Sequence, residues 1–348
     1  MKKYKRLWII LFLSIVTVFG LMRLGNLEFS AATLTRVDPV WFSLVFVAFY
    51  LSVITRGWRW RRILKTMGWT VGSIYAIALL MAGLFTSAIL PARAGDVARV
   101  VMLKQDYKIP ISQGVASIAA ERVLDVFAIL SMAMLSAWWA LPGRVPDYVI
   151  QLIMVVVGLL GLGILGLVVI PSIENFLREN PVLKRIIPVK IWPLYQKLLD
   201  FGFSLVQGLR ILGQKPGALL FIIGESFVIW FYDALMVYFA LVSIGVFIPP
   251  SATLFTAMIS DLATAVPITP GALGQFDATM IALLSLFGVS TANATLATLL
   301  VRIAQLWTFI PVSGLVTYIF GFSRVLNLNS AELARPATPA PASSAVES

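Results

Sequence analysis

Charged residues lie inside apolar runs long enough to cross a bilayer, and few folds hold them there. The stretch Phe85–Asp125 joins an apolar run to Pro91, Arg93, Gly95, Asp96 and Arg99, then enters a second apolar run carrying Glu121, Arg122 and Asp125. Ionisable groups in lipid are costly, so they face the interior of a bundle or a polar cavity and mark functional sites. Of the 348 residues, 59% are hydrophobic and only 12% charged, about half the charged share of an ordinary soluble domain. Several runs approach the ~20 apolar residues that a spanning helix needs. The chain reads as an all-α polytopic membrane protein.

The net charge of +11 does not point to nucleic acid, because no soluble basic domain accompanies it. In a polytopic protein, Lys and Arg collect in cytoplasmic loops and contact anionic inner-leaflet lipids. Cys and His are both absent. Disulfides and thiolate chemistry are excluded, as are the commonest general base and metal ligand. No Walker A loop and no G-x-S-x-G elbow occurs. Neither a cofactor nor a metal is expected, and any uphill transport would draw on an ion gradient rather than on ATP.

MKKYKR followed by LWIILFLSIVTVFGLM has the basic start and apolar core of a signal peptide but no small-residue cleavage site. It reads as an uncleaved first helix with a cytoplasmic N-terminus in the cell membrane. A second span over about 40–55 ends in RGWRWRRILK, which holds Arg56, Arg59, Arg61, Arg62 and Lys65 beside Trp58 and Trp60. Two readings stand for that run: a positive-inside anchor with interfacial aromatics, or a basic cradle for a lipid phosphate.

Residues 71–90 are followed by a loop with Arg93, Arg99, Lys104 and Lys108, which fit best on the cytoplasmic side. An apolar segment that starts and ends on one face is re-entrant, and protein or a water-filled cavity must surround it. Residues 111–140 cross outward and 149–171 cross back. The stretch 172–217, with seven Lys and Arg, lies inside as amphipathic helices. Residues 218–246 cross outward and carry Glu225 and Asp233, eight apart and facing similarly. Either complements Arg122 or Arg302, or titrates. Residues 252–290 form a second hairpin around VPITPGALGQFD, flanked by Asp261 and Asp277, the latter equally explained as a helix cap. Residues 294–321 cross back in. The expected architecture is about six full spans plus two Pro/Gly hairpins in a membrane domain over 1–322, the alternative being eight full spans. A Pro/Ala/Ser-rich tail over 323–348 is expected to be disordered.

Pro91-Ala-Arg-Ala-Gly95 and Pro270-Gly271-Ala-Leu-Gly274 each place Pro-x3-Gly at the tip of an apolar run. Arg122 follows the first Pro by 31 positions and Arg302 follows the second by 32. Hairpins entered from opposite faces are the signature of inverted repeats, whose broken helices meet near the midplane to form a substrate site. Kinked backbone at such tips leaves N–H groups that hold anions.

Glu121, Arg122 and Asp125 share part of one helix surface. They read either as a self-neutralised triad that lets charge be buried, or as a grip on a lipid phosphate by Arg122 with a carboxylate relaying protons.

Together RGWRWRRIL, LPARAGDVARVVML, ERVLD, PITPGALGQFD and Arg302 resemble the flippase-like membrane domain of the lysylphosphatidylglycerol synthases, over about residues 7–322. The matching positions are Arg59, Trp60, Pro91, Arg93, Gly95, Arg99, Glu121, Arg122, Pro270, Gly271, Gly274 and Arg302. In bifunctional members a soluble C-terminal domain aminoacylates phosphatidylglycerol and the membrane domain moves the product. This chain leaves no room for that soluble domain, so the resemblance implies translocation of a phospholipid or other lipid alone. The rival readings are a membrane-embedded transferase with Glu121 or Asp233 as general base, and a non-catalytic partner of a separate lipid-modifying enzyme.

Overall fold

A computed structural model of the chain describes residues 37–89, 94–140, 192–264 and 272–322, with a few helical positions between 150 and 176. The expected first span, the tail, and site candidates Arg93, Pro270 and Gly271 lie outside the described residues, as does most of 149–171.

Helix α1 (Pro39–Thr66) starts where Asp38 accepts from the N–H of Val40 at 2.8 Å, with Pro39 at its first position. Such a cap satisfies an otherwise orphaned donor, and proline costs nothing there because no partner for its N–H exists. The same proline logic opens α6 (Pro216–Ser243) and α7 (Pro250–Ala263). Between them run α2 (Ser73–Ile89), α3 (Ala94–Tyr107), α4 (Ile111–Ala140) and α5 (Trp192–Gly213). The chain closes with α8 (Gln275–Leu286), α9 (Thr291–Arg302), a π-helical turn (Ile303–Thr308) and α10 (Phe309–Ile319).

Among the described residues, four segments are long and apolar enough to cross a membrane: α1, α4, α6 and the run from α9 to α10. Helices α2 and α7 have 17 and 14 residues, about 25 and 21 Å at 1.5 Å per residue, short of a ~30 Å hydrocarbon core. Each instead packs against its successor, α2 on α3 and α7 on α8. Two hairpins result, which disfavours eight full spans.

In the first hairpin, Tyr75 Oη donates to Asp106 at 2.6 Å at the base, while Ser87 Oγ accepts from the Gly95 N–H at 3.2 Å near the tip. The arms touch at Gly95, where a Cβ would stand 1.7 Å from the Gly83 carbonyl oxygen. One expectation is corrected here. The charged stretch after residue 93 is a helix, the returning arm of the hairpin, and Arg99 is buried within the protein. Counting charges treats every Arg as solvated, and Arg99 escapes that rule because it has a partner.

Helices α1 and α6 make the most extensive contact among the described residues. Arg56 meets Asp233 and Arg62 meets Glu225, so the partner number falls as the α1 number rises. The two helices are antiparallel, and the Asp38 N–H accordingly reaches the Ser243 carbonyl at 2.7 Å. The other pairings repeat under exchange of α1–α4 for α6–α10. Helix α1 packs on α2 as α6 does on α7, α3 on α4 as α8 on α9, and α4 on α7 as α10 on α2. The chain is built as two inverted halves.

Helix α5, the C-terminal part of the basic 172–217 stretch, packs on α4 through Ser204, which meets Ser112 at 2.8 Å. Lys215 then donates to the Thr66 carbonyl at 2.8 Å and closes the C-terminus of α1. Large apolar side chains cover the outside, with Leu220 and Ile74 each 72% exposed and Trp138 and Trp139 clustered at the end of α4. Lipid covers such surfaces, and Trp favours the membrane interface.

Candidate functional site

The basic run on α1 turns inward. Arg56, Arg59 and Arg62 recur every three residues and form one stripe along the helix, and α6 answers with Asp233, Ser226 and Glu225. Arg56 Nη2 donates to Asp233 Oδ2 at 2.6 Å. Arg59 is 0% exposed, and its Nη1 donates to Asp125 Oδ1 at 2.7 Å and to Ser226 Oγ at 2.8 Å. Arg62 holds Glu225 through two bonds, 3.0 and 3.1 Å. The surface-anchor reading of this run is therefore corrected for these three residues, since each is engaged by α6 or α4. The expected partners of Glu225 and Asp233 are corrected too. They are Arg62 and Arg56 rather than Arg122 or Arg302, because the α1–α6 contact brings them together.

Helices α3 and α4 complete the cluster. Arg99 Nη2 donates to Glu121 Oε2 at 2.7 Å, and its guanidinium stacks 3.9 Å over the Trp60 ring. Trp60, wholly buried, fixes its own ring by donating from Nε1 to Ser117 Oγ at 3.1 Å. Arg122 Nη2 reaches Glu121 Oε1 at 3.3 Å and Nη1 lies 3.5 Å from Asp125 Oδ2. Trp230 donates to Asp125 Oδ1 at 3.2 Å, and Arg56 stacks 4.4 Å over its ring. Asp96 accepts from Arg99 at 3.4 Å at the partly exposed rim. Arg122 stands apart, its side chain 36% exposed while Glu121 is 1% exposed.

Two properties follow. Arg56, Arg59, Arg99 and Arg122 face four carboxylates, Asp96, Glu121, Asp125 and Asp233, so the cluster is balanced in charge. In addition, Nε and Nη2 of Arg59, Nε of Arg99 and Nε of Arg122 are buried without a hydrogen-bond partner. Buried donors are nearly always satisfied, so four without a hydrogen bond on three neighbouring arginines stand out, although Arg59 Nη2 lies 3.7 Å from Glu121 Oε1. By helix rise, Glu121 and Asp125 lie roughly 15–21 Å from the start of α4, well within a ~30 Å hydrocarbon core.

Arg302 belongs to the second hairpin, not to this cluster. Its Nε donates to Asp277 Oδ1 at 2.6 Å, and its Nη2 donates to Asp277 Oδ2 and to the Ala272 carbonyl, each at 3.0 Å. Asp277 Oδ2 also accepts from the Gly274 N–H at 2.8 Å, so the capping expectation holds and an ion pair is added to it. Gly274 sits at φ 81°, a conformation glycine adopts without steric penalty. Sequence reasoning placed Arg56 in the basic run, Trp60 among the family-matching positions and Asp277 beside the second hairpin, and it missed Ser226 and Trp230. The three-residue spacing of Arg56, Arg59 and Arg62 was the available signal for placing Arg56 in the site.

Fold and site together define a polytopic α-helical membrane protein of two inverted halves, with a buried arginine–carboxylate cluster beside its first helical hairpin. A family model described as the lysylphosphatidylglycerol synthase TM region matches residues 7–313, and the chain belongs to that family. It is similar to a UPF0104 membrane protein of Methanocaldococcus jannaschii, 27% identical over 239 residues, covering 68% of this chain and 94% of that one. A UPF0104 membrane protein of Pyrococcus horikoshii is 22% identical over 333 residues, covering 91% and 96%. The glycosyltransferase AglD of Haloferax volcanii is 24% identical over 321 residues, 86% of this chain but only 50% of that protein. No solved structure matches significantly.

Proposed function

We propose that the protein is a lipid translocator of the cell membrane, with its N-terminus cytoplasmic. A charged or phosphate-bearing headgroup engages the arginine cluster while the acyl chains stay in lipid. The observation that carries this reading is the set of guanidinium nitrogens without a hydrogen bond on Arg59 and Arg122 of the spanning helices α1 and α4 and on Arg99 of the adjoining hairpin arm. Arg122, half-exposed, meets the headgroup first, and Arg59 and Arg99 hold it deeper. Glu121, Asp125 and Asp233 keep the arginines spread and compete with the headgroup for them, so that it is released. Gly274 and Arg302 fix the second hairpin, and Arg93, Pro270 and Gly271 at the hairpin tips complete the route. No cofactor takes part.

The test is lipid movement in proteoliposomes containing this protein alone, followed by dithionite quenching of fluorescent phospholipids with different headgroups. Exchange faster than in protein-free vesicles, lost in Arg122→Ala, is the expected result. Exchange equal to the protein-free rate for every headgroup overturns the reading.

A second reading rests on the similarity to half of a protein named a glycosyltransferase: the membrane domain presents a lipid to a separate lipid-modifying enzyme. Co-purification of such an enzyme, with no exchange by the isolated protein, favours it. Catalysis by Glu121 or Asp233 as general base is less well supported, since each is already bonded to arginine.

A further inference from the structure

Glu121, Asp125, Asp233, Glu225, Asp96 and Asp277 are each within ion-pair distance of an arginine. Asp261 has no such arginine among the described residues. It lies two residues before the end of α7, on the entering arm of the second hairpin, half-buried. Its carboxyl has no hydrogen-bond or ion-pair partner among the described residues. The charged groups acting on it are Asp233, Arg56, Arg302 and Asp125, drawn from both the arginine cluster and the Arg302–Asp277 pair.

The rest of α7 fits this. Thr256 Oγ1 and Ser260 Oγ are buried and have no hydrogen-bond partner. By contrast Thr295, Thr298, Ser313 and Thr317 each bond back to a carbonyl of their own helix, as hydroxyls in apolar helices ordinarily do. Helix α7 thus carries three polar side chains, Thr256, Ser260 and Asp261, within less than two turns, that have no partner among the described residues.

We infer that Asp261 is a proton-binding site that couples headgroup movement to a proton gradient. The inference rests on the translocator reading. A carboxyl that is not committed to an ion pair is the group here able to exchange a proton, whereas arginine keeps its proton in proteins. The step is balanced: Asp261 carboxylate takes one proton from the aqueous phase on one face and gives one proton back on the other. Ionised, it draws on Arg56 or Arg302 in competition with Asp233 and Asp277; protonated, it releases them. The elements packed against α7 are α4, α6 and α8, and the charged groups acting on Asp261 are Asp125 on α4, Asp233 on α6, Arg56 on α1 and Arg302 on α9.

The test uses the full-length protein in proteoliposomes and two readouts. The first is the ratio of lipid exchange with an imposed pH gradient to exchange without one. The second is the carboxylic-acid C=O band in infrared difference spectra recorded across a pH titration. Expected are a ratio well away from one in the wild type and in Asp261→Glu, a ratio of one in Asp261→Asn, and loss of a carboxylic-acid band in Asp261→Asn. A wild-type ratio of one, or an Asp261→Asn ratio equal to that of the wild type, overturns the inference. Absence of exchange both with and without a gradient overturns the translocator reading instead. The infrared titration then decides alone: a band lost in Asp261→Asn sustains the proton site, and unchanged spectra remove it.

Discussion

Glu121 accepts from Arg99 at 2.7 Å and so ties the returning arm of the first hairpin to the span that follows it. The second half makes the same tie with the signs exchanged, acidic Asp277 on the hairpin and basic Arg302 on the span, at 2.6 Å. Arg99 lies four residues past Gly95 and Asp277 three past Gly274, so the two ties fall at matching heights. Inverted repeats present opposite faces of the same design to the membrane, and each half here keeps a neutral pair whichever residue supplies the positive charge.

Removing one partner of such a pair strands the other. Glu121→Gln leaves Arg99 without its main counter-ion and weakens the hold on Arg59 and Arg122, costing about 3–5 kcal/mol. Thermal melts in detergent measure the loss. Arg99→Met combined with Glu121→Met is expected to lose less than the sum of the two single changes. Strict additivity would show that the two residues do not interact.

Arg302 grips Asp277 through two nitrogens and the Ala272 carbonyl through one of them. Lysine offers a point charge without that planar fork. Arg302→Lys is therefore expected to lower stability by about 1.5–3 kcal/mol, the worth of hydrogen bonds to charged groups. A melting temperature equal to that of the wild type contradicts the geometry described for the second hairpin.

Glycine is required at two points for different reasons. At Gly95 a methyl group would collide with the Gly83 backbone, which no rotamer relieves, so Gly95→Ala pushes the hairpin arms apart. Gly274→Ala meets no neighbour and suffers only from φ 81°, about 1–2 kcal/mol. Size-exclusion profiles and melts are expected to rank Gly95→Ala as the more damaging, and the reverse order sinks this account.

The absence of native cysteine allows the inversion to be read directly. Gln105 lies near the base of the first hairpin and Ser285 near the base of the second, both exposed. Gln105→Cys and Ser285→Cys are expected to react with a membrane-impermeant maleimide from opposite faces. Labelling of both from one face rules out inverted halves.

The hairpins were legible because Pro, Gly and charge interrupt apolar runs that are otherwise uniform, and the same interruptions marked Arg59, Arg99, Glu121, Arg122 and Asp125. Partner choice was not legible. Nothing in the spacing of Glu225 and Asp233 says that they meet Arg62 and Arg56, because that depends on how α1 and α6 pack over their length. The stretch after Arg93 was misread as a cytoplasmic loop for a related reason. Composition gives Arg99 its charge but not the Trp60 ring and Glu121 carboxylate that let it be buried. Trp60 itself looked like an interfacial aromatic, and only the Ser117 bond shows it to be a core residue.

The π-helical turn Ile303–Thr308 lies between Arg302 and Pro311. Proline has no N–H to return to the Trp307 carbonyl one turn earlier, and the widened turn sits just before it. The counterpart in the first half, α4, runs for 30 residues without such a break. The scaffold is thus a rigid mast opposite a jointed one. Symmetry in the fold does not extend to compliance, and bending under load concentrates in the half that carries Arg302.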